Sequence, residues 1–255
     1  MTINWSGIDS QSAAGQLLRL PLRFLPARLV VPIVAGPNRG MRWRVGAFDH
    51  GCWLGSFEID KQRRLQDRLR EGMTAFDIGA HVGFYTLLMS RMVGDSGKVF
   101  AFEPWPANVT DCLAHVRMNH LGNVVVVPVA VGNTSGLASF ASGESTSSGK
   151  LAQAETVVRV ACLTLDEVIA TGRFPIPDVV KVDVEGAESQ VLEGAQTLLR
   201  QHAPSWFIAL HSLDQKQACF RLLTAAGYTV SGLNGEPCDP AAPDAAPDEI
   251  IATRR

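Results

Sequence analysis

The sequence predicts an α/β protein built on a mostly parallel sheet with helices on both faces. Three observations carry that expectation. From residue 72 onward, short apolar runs alternate with stretches of helical spacing. Several of those runs are near-continuous in valine, as strands buried on both faces are. The last two runs are joined without a helix, across "NGEPCDPAAPDAAPD", so the final strand should return antiparallel.

Each element can be read in turn. "MTAFDIGA" (73–80) is a strand ending in small residues, and "FYTLLMSRMVG" (84–94) follows with helical spacing. "KVFAFEP" (98–104) is a second strand, after which Pro106 suits the first turn of a helix. "NVVVVPVAVG" (123–132) reads as one strand, with Pro128 implying a bulge or an edge position. Residues 133–160 are rich in serine and glycine and suggest a hairpin excursion with a mobile loop. "PDVVKVDVEG" and "SWFIALH" (205–211) are strands separated by a helix through 187–201. A helix near 214–226, "YTVSGL" and "EIIATR" complete the series. Upstream, "GMRWRVG" alternates like a strand. "FEIDKQRRLQDRLREG" (57–72) is a charged helix with a thin stripe from Ile59, Leu65 and Leu69, its charges most simply a solvated face.

Length and composition bound the answer. At 255 residues the chain can bury roughly 70–75% of its unfolded surface. Its net charge is −2 with both signs mixed, so no basic field points to nucleic acid. Five cysteines at 52, 112, 162, 219 and 238, without a CxxC pair, argue against a disulfide framework or zinc site and for a reducing, cytoplasmic setting. No apolar run approaches the roughly 20 residues that span a bilayer. The nearest, residues 17–36, is broken by Arg19, Arg23, Arg28 and three prolines. It reads as an amphipathic or irregular lead-in, with a membrane-surface or substrate-facing role left open.

Two strand ends carry chemistry. In "FDIGAHVGFYT", Asp77, Gly79, Ala80 and Gly83 stand where a first strand hands over to a helix. In a doubly wound sheet, ligands bind outside the carboxyl ends of the strands, and glycines allow a tight turn and close approach there. The spacing is GxxxG rather than the GxGxxG of pyrophosphate sites, and by itself it is equally a packing motif. Glu103 closes the second strand, 20 residues after Gly83, where a carboxylate accepts both hydroxyls of a ribose. It could instead cap the helix that follows. Together they imply an adenosine-type ligand, and S-adenosylmethionine suits the missing pyrophosphate glycines better than NAD.

These stretches, with "VVVVPVAVG", "LDEVI" and "VVKVDVEGAESQVLEGAQTLL", resemble the FkbM family of S-adenosylmethionine-dependent methyltransferases over roughly residues 36–233. "WLGSFE" (53–58) is similar to that family's Trp-x-Gly-x-aromatic-Glu element. The resemblance implies a class I methyltransferase fold, seven strands in the order 3-2-1-4-5-7-6 with strand 7 antiparallel, on residues 72–255. Residues 1–71 would then be an N-terminal extension serving as a substrate-side lid. It also implies methyl transfer to a hydroxyl of a sugar, polyketide or other small metabolite. The cofactor site it implies comprises Glu58, Asp77, Gly79, Ala80, His81, Gly83, Phe84, Tyr85, Thr86, Glu103, Pro104, Asn108, Ala130 and Asp183. Asp183, Glu185, Gly186 and Glu188 match the family's D-x-E-G-x-E. Two positions depart from the pattern: His81 replaces the usual asparagine, and Ala209 replaces a glutamate ahead of the histidine.

In such a fold the fourth strand is central, and residues 181, 183 and 185 share a face if it stays regular. His211, at the end of the fifth strand, should then stand beside Asp183 and Glu185. It is the candidate base for a hydroxyl acceptor, with those carboxylates orienting it. A magnesium or manganese ion held by Asp183, Glu185 and Glu188 would serve the same end. Other roles stay open: Glu188 as a helix-dipole partner, Lys181 as a carboxylate's ion-pair partner, Trp53 as a packing anchor, Glu58 as a cap, His211 as a core or rim histidine. The competing functions are a catalytically inactive binding protein, a methyltransferase for a non-hydroxyl acceptor, and a nicotinamide oxidoreductase that lacks its GxGxxG. A nucleic-acid methyltransferase would want (N/D)PP(Y/F) and a basic surface. A homodimer is possible.

Overall fold

The computed structural model describes residues 25–141 and 157–254. The N-terminal part begins with a hairpin of β1 (Val30–Pro32) and β2 (Arg42–Arg44), followed by α1 (His50–Leu54) and α2 (Ile59–Arg68). Asp49 caps α1 by accepting from the Gly51 N–H at 2.6 Å. The hairpin is tied to the rest of the chain through His115. The ring of Trp43 stacks on it at 3.9 Å. Its Nε2 accepts from the Arg44 N–H at 3.1 Å, which leaves Nδ1–H to donate to the Val82 carbonyl at 2.8 Å.

Alternation then sets in with β3 (Thr74–Ile78), α3 (Phe84–Val93), β4 (Lys98–Phe102), α4 (Pro106–Met118) and β5 (Val124–Val127). Pro106 occupies the first turn of α4 as expected. An excursion of β6 (Ala130–Val131), β7 (Gly136–Ala141) and β8 (Val157–Leu163) comes next, followed by α5 (Leu165–Ala170). The chain finishes with β9 (Val179–Val182), α6 (Glu188–Glu193), β10 (Ser205–Ala209), α7 (Leu213–Ala225), β11 (Thr229–Gly232) and β12 (Glu249–Thr253).

The main sheet runs β5-β4-β3-β9-β10-β12-β11, with β12 antiparallel to both neighbours. Numbered along the sheet's own seven strands, that is the expected order 3-2-1-4-5-7-6. Period-two alternation explains why both faces are apolar. Val180, Val182, Trp206 and Ile208 enter one hydrophobic cluster, with Leu192, Leu198 and Phe220 from the covering helices. Val179 and Phe207 enter the other, with Leu65, Leu87 and Leu88. That second cluster also contains Ile33, Trp43, Cys52 and Trp53, so the described part of the N-terminal extension shares a core with the sheet.

Two expectations change in detail and a third is met. The run 123–132 is two strands: Pro128 has no N–H to offer the ladder, so β5 ends as the edge of the main sheet and β6 joins β8 and β7 in a separate small sheet. The hairpin expected in 133–160 is β7 against β8, while its loop, 142–156, lies outside the described residues, as do residues 17–24 of the Arg/Pro-rich segment. The helix expected through 187–201 stops at Gly194, where a Cβ would lie 2.0 Å from the Gly132 carbonyl oxygen, and resumes as a π-helical turn, Leu198–His202.

Candidate active site

One side of the site is built by the β3–α3 turn and the end of β4. Gly79 and Gly83 adopt φ of 74° and 89°, the left-handed region that glycine enters without strain. A Cβ on Gly79 would lie 1.9 Å from the Asp183 carbonyl oxygen, and one on Gly83 would lie 2.8 Å from Cys112 Sγ. Both glycines are therefore required by the packing of the turn against β9 and α4. His81 has φ of 51°. Asparagine and histidine are both enriched among non-glycine residues in that conformation, which explains how histidine can stand where asparagine is usual. The contact that matters there comes from its backbone: the His81 N–H donates to Glu103 Oε2 at 2.8 Å.

Glu103 is held from three directions. Besides His81, the Trp105 N–H donates to Oε1 at 2.8 Å and Asn108 Nδ2 to the same oxygen at 3.3 Å. The residue is 5% exposed, and burial raises its pKa despite those donors. It is a fixed acceptor at the carboxyl end of β4.

The other side is a charge network drawn from elements far apart in sequence. Lys181 is buried in β9 opposite Asp77 of β3, and its Nζ lies 3.1 Å from Asp77 Oδ1 and 3.7 Å from Asp183 Oδ2. Asp77 Oδ2 accepts from the Thr86 hydroxyl at 2.7 Å. Lys61 of α2, only 2% exposed, places its Nζ 2.7 Å from Glu249 Oε1, 3.4 Å from Asp183 Oδ2 and 3.5 Å from Glu58 Oε2. Burial opposes its charge, but Asp183, Glu249 and Glu58 outweigh that and hold its pKa above the ordinary lysine value. The Tyr85 ring lies 5.3 Å from each ammonium, and its hydroxyl donates to Glu58 Oε2 at 2.6 Å. Burial disfavours the Asp183 carboxylate, yet Lys181 and Lys61 prevail and bring its pKa down to about 2.

His211 completes the array. Its Nδ1 lies 2.8 Å from Oε1 of the fully buried Glu188, an oxygen that also accepts from the Gly186 N–H at 2.8 Å. Its Nε2 faces Asp183 Oδ1 at 3.6 Å and Glu185 Oε2 at 3.7 Å, ion-pair distances too long for hydrogen bonds. The bond to Glu188 is the chief cause of a pKa raised to about 9, with Asp183 and Glu185 adding to it against burial. Asp183, Glu185 and His211 each offer a ligand atom within 4.8 Å of the others, so they could hold a divalent cation. Glu188 stands behind the imidazole, where it fixes the ring's orientation, as a carboxylate does behind a metal-binding or proton-accepting histidine.

Between the two sides lies a cleft of about 320 Å³. Among the residues expected to bind a cofactor, Glu58, Gly79, Ala80, His81, Phe84, Tyr85, Glu103, Pro104, Asn108, Ala130 and Asp183 line it, together with Glu185 and His211. Asp77, Gly83 and Thr86 lie behind its wall, where Asp77 and Thr86 orient Lys181. Strand β9 ends at Val182 and Glu185 has φ of 55°, so simple alternation does not place Glu185; the left-handed turn through Glu185 and Gly186 does. Glu58 occupies the N-cap of α2 without capping it, its carboxylate going to Tyr85 and Lys61. Trp53 is a buried anchor whose Nε1 donates to His50 Nδ1 at 3.1 Å. The sequence reading missed Lys61, taken for part of a solvated face, and Glu249. The register pairs Glu249 with Ala209, so the strand that lacks its usual carboxylate is supplied with one from the strand beside it.

An acidic residue ending the second strand, a charged cluster ending the fourth and fifth, and the reversed seventh strand define a class I methyltransferase fold. Residues 77–230 match the family described as the methyltransferase FkbM domain, more than half of the chain. The chain belongs to that family of S-adenosylmethionine-dependent methyltransferases. The hexuronic acid methyltransferase AglP of Haloferax volcanii is 31% identical over 144 residues, 56% of this chain and 58% of that protein. The chain thus matches little more than half the length of this curated relative. The crystal structure of methyltransferase FkbM from Methylobacillus flagellatus KT aligns with a TM-score of 0.50 and 15% identity, covering 85% of this chain and 63% of that one, a likeness of fold. No described helix is long and apolar enough to cross a membrane.

Proposed function

We propose that this protein transfers a methyl group from S-adenosylmethionine to a hydroxyl of a sugar or similar small metabolite, with His211 taking the hydroxyl proton. The observation that carries the proposal is the line Glu188–His211–Asp183/Glu185 facing a cleft whose far side is the fixed acceptor Glu103. The residues fit the cofactor: Ile78, Phe102 and Ala130 supply apolar wall beside Glu103 and Asn108, and the other end of the cleft is anionic, which suits a base and ribose at one end and a cation at the other.

When bound, S-adenosylmethionine would supply a methyl group on a sulfonium to the acceptor oxygen, the carbon–sulfur electron pair leaving with sulfur as a neutral thioether. The hydroxyl proton passes to Nε2 of His211, whose Nδ1–H remains directed at Glu188. Asp183 and Glu185 stabilise the resulting imidazolium, a contribution of roughly 10²–10⁴-fold for a placed base. Lys181 and Lys61 keep Asp183 ionised for that task. Phe48, Phe57 and Glu58 line the cleft, so the N-terminal extension supplies one of its walls. AglP's activity on a hexuronic acid supports a sugar acceptor.

The test is a methylation assay over a library of glycosides and small alcohols, run with and without chelator. O-methyl product that is insensitive to chelator supports the histidine mechanism. Product lost to chelator and restored by magnesium or manganese transfers the activation to a cation at Asp183, Glu185 and His211. S-adenosylmethionine binding without any product would leave a binding protein.

A further inference from the structure

A second cavity, of about 370 Å³, opens beyond His211 and Glu249 and shares both residues with the first cleft. Its remaining functional lining comes from Ser212, Leu213, Lys216 and Asp248. The walls are set by the backbone: β10 and β12 pair Ala209 with Glu249, and the Leu210 N–H continues the ladder to the Asp248 carbonyl at 2.7 Å. Lys216 reaches across from α7, its side chain 14% exposed, and Nζ bonds the Ala246 carbonyl at 2.7 Å and Asp248 Oδ1 at 2.8 Å. That uses two of the three donors of an ammonium. The cofactor cleft, at about 320 Å³, lies at the small end of the range for a single ligand, so a second reactant needs its own space.

We infer that this second cavity is the acceptor subsite and that it takes a pyranose ring, with the hydroxyl to be methylated presented to His211 across the shared wall. The inference rests on the methyltransferase reading above. The chemistry of the lining favours a neutral polyol over a charged ligand. Lys216 and the Ser212 hydroxyl donate, Asp248 and Glu249 accept, and each carboxylate has its own ammonium, Lys216 beside Asp248 and Lys61 beside Glu249, so neither an anion nor a cation has a uniform field to enter. Leu213, 49% exposed at the rim, offers the apolar surface that the C–H face of a pyranose covers. A flat aromatic or long aliphatic alcohol offers nothing to the third Lys216 donor or to the Ser212 hydroxyl, whereas a ring carrying several hydroxyls can bond both.

The test uses protein saturated with S-adenosylhomocysteine and methyl β-D-glucopyranoside as probe, followed by saturation-transfer NMR. The wild-type protein should transfer saturation to the glycoside ring protons, and Lys216→Met should weaken its affinity roughly tenfold through lost charge-assisted hydrogen bonds. Asp248→Ala, on a side chain 81% exposed, provides the same reading should Lys216→Met fold poorly. Calorimetric affinity for S-adenosylhomocysteine should be the same in all three. No transfer in the wild type, or equal transfer in both variants, overturns the assignment while leaving the cofactor reading intact. Failure to bind S-adenosylhomocysteine overturns the methyltransferase reading itself.

Discussion

The two sides of the cleft are built on different principles. Around Glu103 the geometry comes from backbone: the His81 and Trp105 N–H groups and a turn whose glycines are dictated by packing. Around Asp183 it comes from side chains of α2, β9, α6, β12 and His211, two residues beyond β10, brought together by tertiary structure alone. A backbone cradle tolerates change in the side chains that surround it, and His81 in place of asparagine illustrates this. A charge network does not, because removing one member leaves another buried and unpaired. The first side suits recognition of a constant ligand; the second suits control of a proton.

The comparison can be broken most sharply at His211. His211→Ala should lower kcat by roughly 10²–10⁴-fold with far less effect on cofactor affinity, measured by steady-state kinetics beside calorimetry. An equal loss in both would erase the division between the two sides. Lys61→Met comes next: it strips the buried counter-charge from Asp183 and Glu249 and should destabilise the fold by about 3 kcal/mol, read by denaturant titration. A neutral result would mean that water enters and replaces the ammonium.

The pH dependence gives a finer reading. His211 is protonated below its pKa of about 9 in the free protein, so kcat/KM should climb as pH rises toward that value. Glu188→Gln removes the largest cause of the raised value and should move that limb to lower pH; an unmoved limb would assign it to another group. The stability contribution has the opposite sense. The folded-state pKa of His211 is above the unfolded one, so its stabilisation is full below about 6.5 and is lost as pH rises through about 9. Asp183, depressed to about 2, contributes above about 3.8 and loses that as pH falls through about 2.

Much of the backbone-built side was legible because its signals are contiguous: a strand, two glycines, a helix, then Glu103 one strand later. The valine runs likewise yielded the sheet, and the helix-free connection before the last run yielded its reversed strand. The charge network was legible only where a motif concentrated it, in Asp183, Glu185 and Glu188. Lys61 sits in a helix whose other charges, such as Asp60 and Arg63, are solvent-exposed, and no local pattern separates it from them. Glu249 depends on the register of β12 against β10, strands separated in the chain by α7 and β11, which spacing does not determine. The division of 123–132 between two sheets and the interruption at Gly194 likewise depend on partners distant in sequence.

The most direct test of the account is calorimetric titration of S-adenosylmethionine into the wild-type protein, Glu103→Ala and His211→Ala. One site per chain is expected in the wild type. Loss of the ribose acceptor in Glu103→Ala should weaken binding by roughly 10–100-fold, the equivalent of about 1.5–3 kcal/mol for hydrogen bonds to a charged group, while His211→Ala binds nearly as the wild type does. Affinity unchanged in Glu103→Ala, or lost chiefly in His211→Ala, would contradict the assignment of the two sides.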